Sequence, residues 1–102
     1  MLHVIAVIKA KAGKRDAILS AAKNNLSSVR AEDGCIEYGL VVDADFGFFQ
    51  TEMGPDTFLV IEKWRDSAAL KAHASAPHMI SYGQQIKDWI ESRTIHVLDP
   101  VI

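Results

Sequence analysis

Apart from His3 and Lys9, the stretch Leu2 to Lys9 is apolar on both faces, with Leu2, Val4, Ala6 and Ile8 on one side and Ile5 and Val7 on the other. That pattern predicts a strand covered from both sides. After Gly13 the spacing lengthens: Ile18, Ala22, Leu26 and Val29 recur every three or four residues, giving a helical stripe that the Asp33-Gly34 pair ends. Lys14 and Arg15 in its first turn oppose the helix dipole. Alternation returns from Cys35 to Asp43, with Ile36, Tyr38, Leu40 and Val42 set against Glu37, Gly39 and Asp43, a second strand. Thr57 to Arg65 reads as a third, again apolar on both faces. Asp66 or Ser67 can cap a short helix through Ala74. Pro77 suits the first turn of another helix, whose stripe runs Met79, Tyr82, Ile86, Trp89 and Ile90. Thr94 to Leu98 makes a last strand before Asp99-Pro100.

Strand, helix, strand, strand, helices, strand is the order of an α+β domain on the split βαβ, or ferredoxin-like, plan with an antiparallel sheet, here a single domain over residues 1–102. Helices in that plan cover one face of the sheet, whereas at least two strands are apolar on both. A second copy is the simplest cover for the other face. Two sheets packed face to face would make a dimeric α+β barrel, leaving room between sheet and helices for a small molecule. The segment Asp45 to Asp56 has the turn residues Gly47, Gly54 and Pro55 but also Phe46, Phe48, Phe49 and Met53, so it is expected to pack over a ligand pocket or a partner subunit.

Composition narrows the function. About half of the 102 residues are apolar, enough for one small core. The formal charge of -2 and the absence of Lys/Arg runs argue against nucleic acid or a basic membrane patch. No apolar run approaches the ~20 residues of a membrane span, and the N-terminal stretch lacks a basic leader and small-residue cleavage site, so a cytoplasmic protein is expected. Cys35 is alone, which rules out an intrachain disulfide and a cysteine zinc cluster. No glycine-rich dinucleotide loop and no His-x-His or Glu-x-x-His pattern is present, so nothing calls for a metal or cofactor.

Candidate chemistry concentrates between Phe58 and Met79, where Glu62, Trp64, His73 and His78 gather around one strand and one helix. Residues two apart on a strand share a face, so Glu62 and Trp64 lie with Phe58 and Val60. If that face is enclosed, desolvation raises the Glu62 pKa, and a nearby imidazole becomes a natural proton partner. Each residue also has a structural reading. Trp64 is then a core or interface tryptophan, His78 tunes a helix start, Glu62 makes an ion pair, and Met79, Tyr82, Ile86 and Trp89 form a core stripe.

These residues also carry a likeness. Ile61-Glu62-Lys63-Trp64, followed by Ala69-Leu70, Ala72-His73 and Ala76-Pro77-His78-Met79, resembles the signature of the antibiotic biosynthesis monooxygenase domain. Val4-Ile5-Ala6 with Lys11-Ala12-Gly13, then Glu32-Asp33-Gly34-Cys35, Tyr38, Phe49-Gln50, Pro55-Asp56 and Val97-Leu98-Asp99-Pro100 are similar to the bacterial quinol monooxygenases of that family. The resemblance implies a homodimeric barrel that oxygenates a quinol or hydroxyarene with molecular oxygen and without metal, flavin or haem. An electron-rich quinol can act as its own reductant once deprotonated, so the protein need only bind, deprotonate and exclude water.

On that scheme His73 or His78 is the general base, and Glu62 is the rival base or the group that orients the imidazole. Trp64 supplies an aromatic wall and an indole donor, while Tyr38, Phe49, Met79 and Tyr82 line the pocket. Haem-degrading relatives depend on a first-strand asparagine and a haem-ligating histidine on the last helix. This chain has Leu2 to Ile8 without asparagine in the first place and Tyr82-Gly83-Gln84 in the second. Anthrone oxygenases have an asparagine where Glu62 stands. Two other classes stay open: an isomerase moving a proton alpha to a carbonyl with the same residues, and a non-catalytic module that binds quinones or other aromatics.

Overall fold

The alternating start of the chain forms strand β1, Leu2–Ala10, and residues 1–102 are all described in a computed structural model. Helix α1, Arg15–Arg30, follows, then β2, Cys35–Val41, and β3, Thr57–Trp64. Helices α2, Ser67–Ala74, and α3, Pro77–Ile86, lead through a short 3-10 turn, Lys87–Trp89, into β4, Ile90–Leu98. The four strands pair antiparallel in the order β2-β3-β1-β4, the ferredoxin-like arrangement. No helix is long and apolar enough to cross a membrane.

Pairing fixes which side chains share a face, because directly opposed residues point the same way. Val4 opposes Glu62 and Val97, Ala6 opposes Val60 and Ile95, and Ile8 opposes Phe58 and Arg93. This set faces the helices. Phe58 and Trp64 are fully buried there, and Ile18, Ala21, Ala22 and Val29 of α1 close over them. The opposite face carries Ile5, Val7, Leu59 and Ile61, all half-buried with no layer of this chain over them.

Two stretches depart from the sequence pattern. The helical stripe predicted through Trp89 and Ile90 stops at Ile86, and β4 begins at Ile90 rather than Thr94. Trp89 and Ile90 still pack against the core, but as the corner entering an edge strand whose Glu91, Ser92 and Arg93 show no inward alternation. The start of α1, where basic residues oppose the dipole, is held from outside the helix. The Gly13 N–H donates to Asp56 Oδ1 at 3.0 Å, and Arg15 Nη1 donates to the Thr57 carbonyl at 3.2 Å.

Candidate active site

Between the helices and the sheet lies a cavity of about 390 Å³, within the range of about 300–1,000 Å³ usual for small-molecule sites. Its walls are mostly apolar: Val4, Ala6, Val60 and Ile95 from the sheet, and Leu70, Met79, Ile80 and Ile86 from the helices. Five polar side chains break that lining, Glu62, His73, Tyr38, Tyr82 and Arg93. Glu62 pairs with Val4 and Arg93 pairs with Ile8, so they stand four residues apart along β1, roughly 13 Å.

Glu62 is inward because it alternates with Val60 and Trp64 on β3, and it is only 6% exposed. The Trp64 indole N–H donates to Glu62 Oε1 at 2.8 Å. Burial pushes the Glu62 pKa upward; the Trp64 hydrogen bond and the nearby His73 pull against it, and Glu32 adds to the rise. Tyr38 sits directly across from Glu62 on β2. Burial, and then the charge of Glu62, hold its phenol well above the usual range. Burial likewise brings Tyr82 up to about 12. Both phenols therefore stay protonated at neutral pH and can donate to an oxygen in the cavity.

His73 arrives from α2. Asp66 caps that helix by accepting from the Ala69 N–H at 2.8 Å, and the missing Cβ of Gly34 lets the Ala69 methyl press on that turn. The imidazole lies 4.6 Å from the Trp64 ring and edge-on to Tyr38 at 5.6 Å. Its Nδ1 is 2.7 Å from Glu32 Oε2. A carboxylate oxygen accepts, so Nδ1 carries a proton, and in the neutral form of the ring the lone pair is on Nε2.

Of the residues the sequence singled out, Glu62, His73, Tyr38, Met79 and Tyr82 line this one cavity. Trp64 does not form its wall; it is 0% exposed behind Glu62 and His73, hydrogen-bonded to the first and tilted at 35° against the second. His78 faces away, into a polar cleft between α1 and α3. Its Nδ1 is 3.2 Å from Asn25 Oδ1. Phe49 is 81% exposed and packs edge-on against Phe46 and Phe48 instead of the cavity. The loop folds on itself because the Gln50 side chain accepts from the Phe46 and Gly47 N–H groups and donates to the Ala44 carbonyl.

Three participants were not singled out for a role: Glu32, Asn25 and Arg93. Glu32 lies 41 residues before His73, and no periodicity joins a turn after one helix to the face of another. Its only signal was membership in Glu32-Asp33-Gly34-Cys35. No group of three or more His, Cys, Asp or Glu is arranged to hold a metal ion.

A buried carboxylate, a carboxylate-paired imidazole and two protonated phenols around a ring-sized apolar hollow define a class of small-molecule site suited to proton transfer. The family model "Antibiotic biosynthesis monooxygenase" matches residues 1–85. "Probable quinol monooxygenase YgiN" of Escherichia coli K12 is 36% identical over 104 positions, covering 100% of both chains. Among solved structures, PA3566 from Pseudomonas aeruginosa superposes with a TM-score of 0.84 at 28% identity, covering 99% of this chain and 94% of that one. The crystal structure of an antibiotic biosynthesis monooxygenase gives 0.83 at 30% identity, with 100% of both chains covered. The chain belongs to the antibiotic biosynthesis monooxygenase family, and its relatives support a monooxygenase function.

Proposed function

We propose that the cavity oxygenates a quinol or related hydroxyarene with molecular oxygen, with no cofactor, His73 acting as the base. The observation that carries this reading is the 2.7 Å contact between His73 Nδ1 and Glu32 Oε2. It supports the tautomer that leaves Nε2 to accept a phenolic proton, and the carboxylate would stabilise the imidazolium that forms. The resulting phenolate passes one electron to oxygen. Semiquinone and superoxide then combine at a ring carbon, and loss of water leaves a hydroxylated quinone. For a simple quinol the sum is one quinol and one O₂ to one hydroxyquinone and one H₂O. Tyr38 and Tyr82 would donate to the substrate oxygens, and the apolar walls keep bulk water from the radical pair. Glu62, raised by burial, is the second proton acceptor within the same walls.

The test is oxygen uptake with a menadiol-type quinol. Uptake above autoxidation, lowered about 100-fold or more by His73→Ala without a matching loss of thermal stability, supports the assignment. Exchange of a proton alpha to a carbonyl without oxygen uptake would support the isomerase in its place.

The same reading includes a homodimer. Ile5, Val7, Leu59 and Ile61 form the centre of an uncovered sheet face, continued by the exposed Val41 and Leu98. A second sheet laid on that face would bury it and leave both cavities, on the opposite faces, open to substrate.

A further inference from the structure

His78 lies outside the cavity, yet it touches the carboxylate that serves the base. Its Nε2 is 3.3 Å from Glu32 Oε2, the same oxygen that binds His73 Nδ1 at 2.7 Å. The approach is off-axis, and Nε2 is buried without a hydrogen-bond partner. On its other side the ring meets Asn25 Oδ1, while Asn25 Nδ2 donates to Met79 Sδ at 3.3 Å, which fixes the amide with its oxygen toward His78. His78 Nδ1 therefore carries a proton, and whenever the ring is neutral its Nε2 lone pair faces a carboxylate oxygen. One additional proton between the two removes that repulsion.

Burial grades outward along this line. The side chains of His73, Glu32 and His78 are 8%, 15% and 27% exposed, and His78 ends in an open cleft of about 180 Å³ lined by Asn24, Asn25, Ser81 and Gln85. We propose that His73, Glu32 and His78 form a proton exit from the dry cavity to the polar cleft between α1 and α3. This rests on His73 being the base. The phenolic proton moves to His73 Nε2, the Nδ1 proton passes to Glu32 Oε2, and that oxygen hands it to His78 Nε2. His78 releases a proton to cleft water, and no electrons move. The hydroxyquinone is a vinylogous acid and leaves as its anion at neutral pH, so quinol and O₂ give the anion, water and one proton, and without such a route that proton stays on a buried imidazole. The groups facing the line are Glu62 and Tyr38 from the sheet, Cys35 at the start of β2, and Tyr82, which borders both hollows.

The experiment compares His78→Ala, His73→Ala and wild type in oxygen uptake with a menadiol-type quinol at low buffer concentration. His78→Ala should lower kcat roughly tenfold at unchanged KM, since it touches no substrate, and added imidazole should restore it saturably by entering the vacated cleft. His73→Ala should not be rescued by the same addition. Wild-type kcat in His78→Ala, or a loss that imidazole leaves in place, overturns the exit while His73 keeps its role. If wild type itself consumes no oxygen, the oxygenase reading fails and proton sharing is read without substrate, by ¹⁵N NMR titration of the imidazoles. Removing His78 should then shift the His73 curve, and Glu32→Gln should abolish the coupling; superimposable curves overturn the proposal.

Discussion

Glu62 shows how a single side chain's environment turns composition into chemistry. A carboxylate flanked by Ile61 and Lys63 in sequence is flanked in space by Trp64, His73 and Tyr38, and desolvation dominates its proton affinity. The folded pKa lies above the ordinary 4.5, so the folded state binds a proton that the unfolded chain has already released. That contribution to stability is complete below the ordinary value and is lost as pH rises through the raised one. Glu62→Gln keeps an acceptor for the Trp64 N–H but does not titrate. Urea unfolding from pH 4 to pH 8 should show the variant gaining on wild type as pH rises, with the difference levelling above the folded pKa. A constant difference would mean that the Trp64 and His73 interactions cancel desolvation and the proton affinity of Glu62 does not change on folding. At this scale Glu62 and Trp64 were legible as inward residues from their spacing on β3, while residue type left His73 and His78 as alternatives. Glu32 was not, because only folding sets it against His73.

The elements meet at one narrow point that governs the site. The turn after α1 presents Gly34 to α2 at φ +86, and a Cβ there would come within 2.5 Å of the Ala69 Cβ. The Gly34 carbonyl accepts from the Arg65 N–H at 2.8 Å, and the Arg65 guanidinium grips both Asp33 oxygens, so the turn is tied to the end of β3. Glu32 rides on this turn and His73 on the helix it touches. Gly34→Ala should cost about 2 kcal/mol or more, from the left-handed backbone together with the overlap. The loss should appear in chemical denaturation, and quinol-driven uptake at a temperature where the variant is folded should fall as Glu32 and His73 move apart. The Asp33-Gly34 stop was readable because a residue pair marks it. The exact entry into β4 was not, since an edge strand exposed on much of its length lacks the alternation that betrays a buried one.

On the scale of the molecule, the uncovered surface is the outer face of the sheet. Ile61 stands at its centre, opposite Ile5 on β1 and Gly39 on β2. For a dimer that uses this face, light scattering should report twice the chain mass for wild type and a single chain mass for Ile61→Lys, with the cavity side unaffected. A concentration-independent wild-type monomer would leave the face to solvent and remove the barrel.

Periodicity and punctuation alone determined the strand and helix order, and with it the antiparallel ferredoxin-like sheet, because burial of a face demands side chains at that face's spacing. They also placed Glu62 and Trp64 on one inward face. Which histidine reaches the cavity, which carboxylate serves it, and whether the phenylalanines of the β2–β3 loop cover anything were decided by tertiary structure. Those outcomes depend on contacts between segments far apart in the chain, and Glu32 with His73, Asn25 with His78 and Gln50 with its own loop are made by packing, which local pattern does not encode.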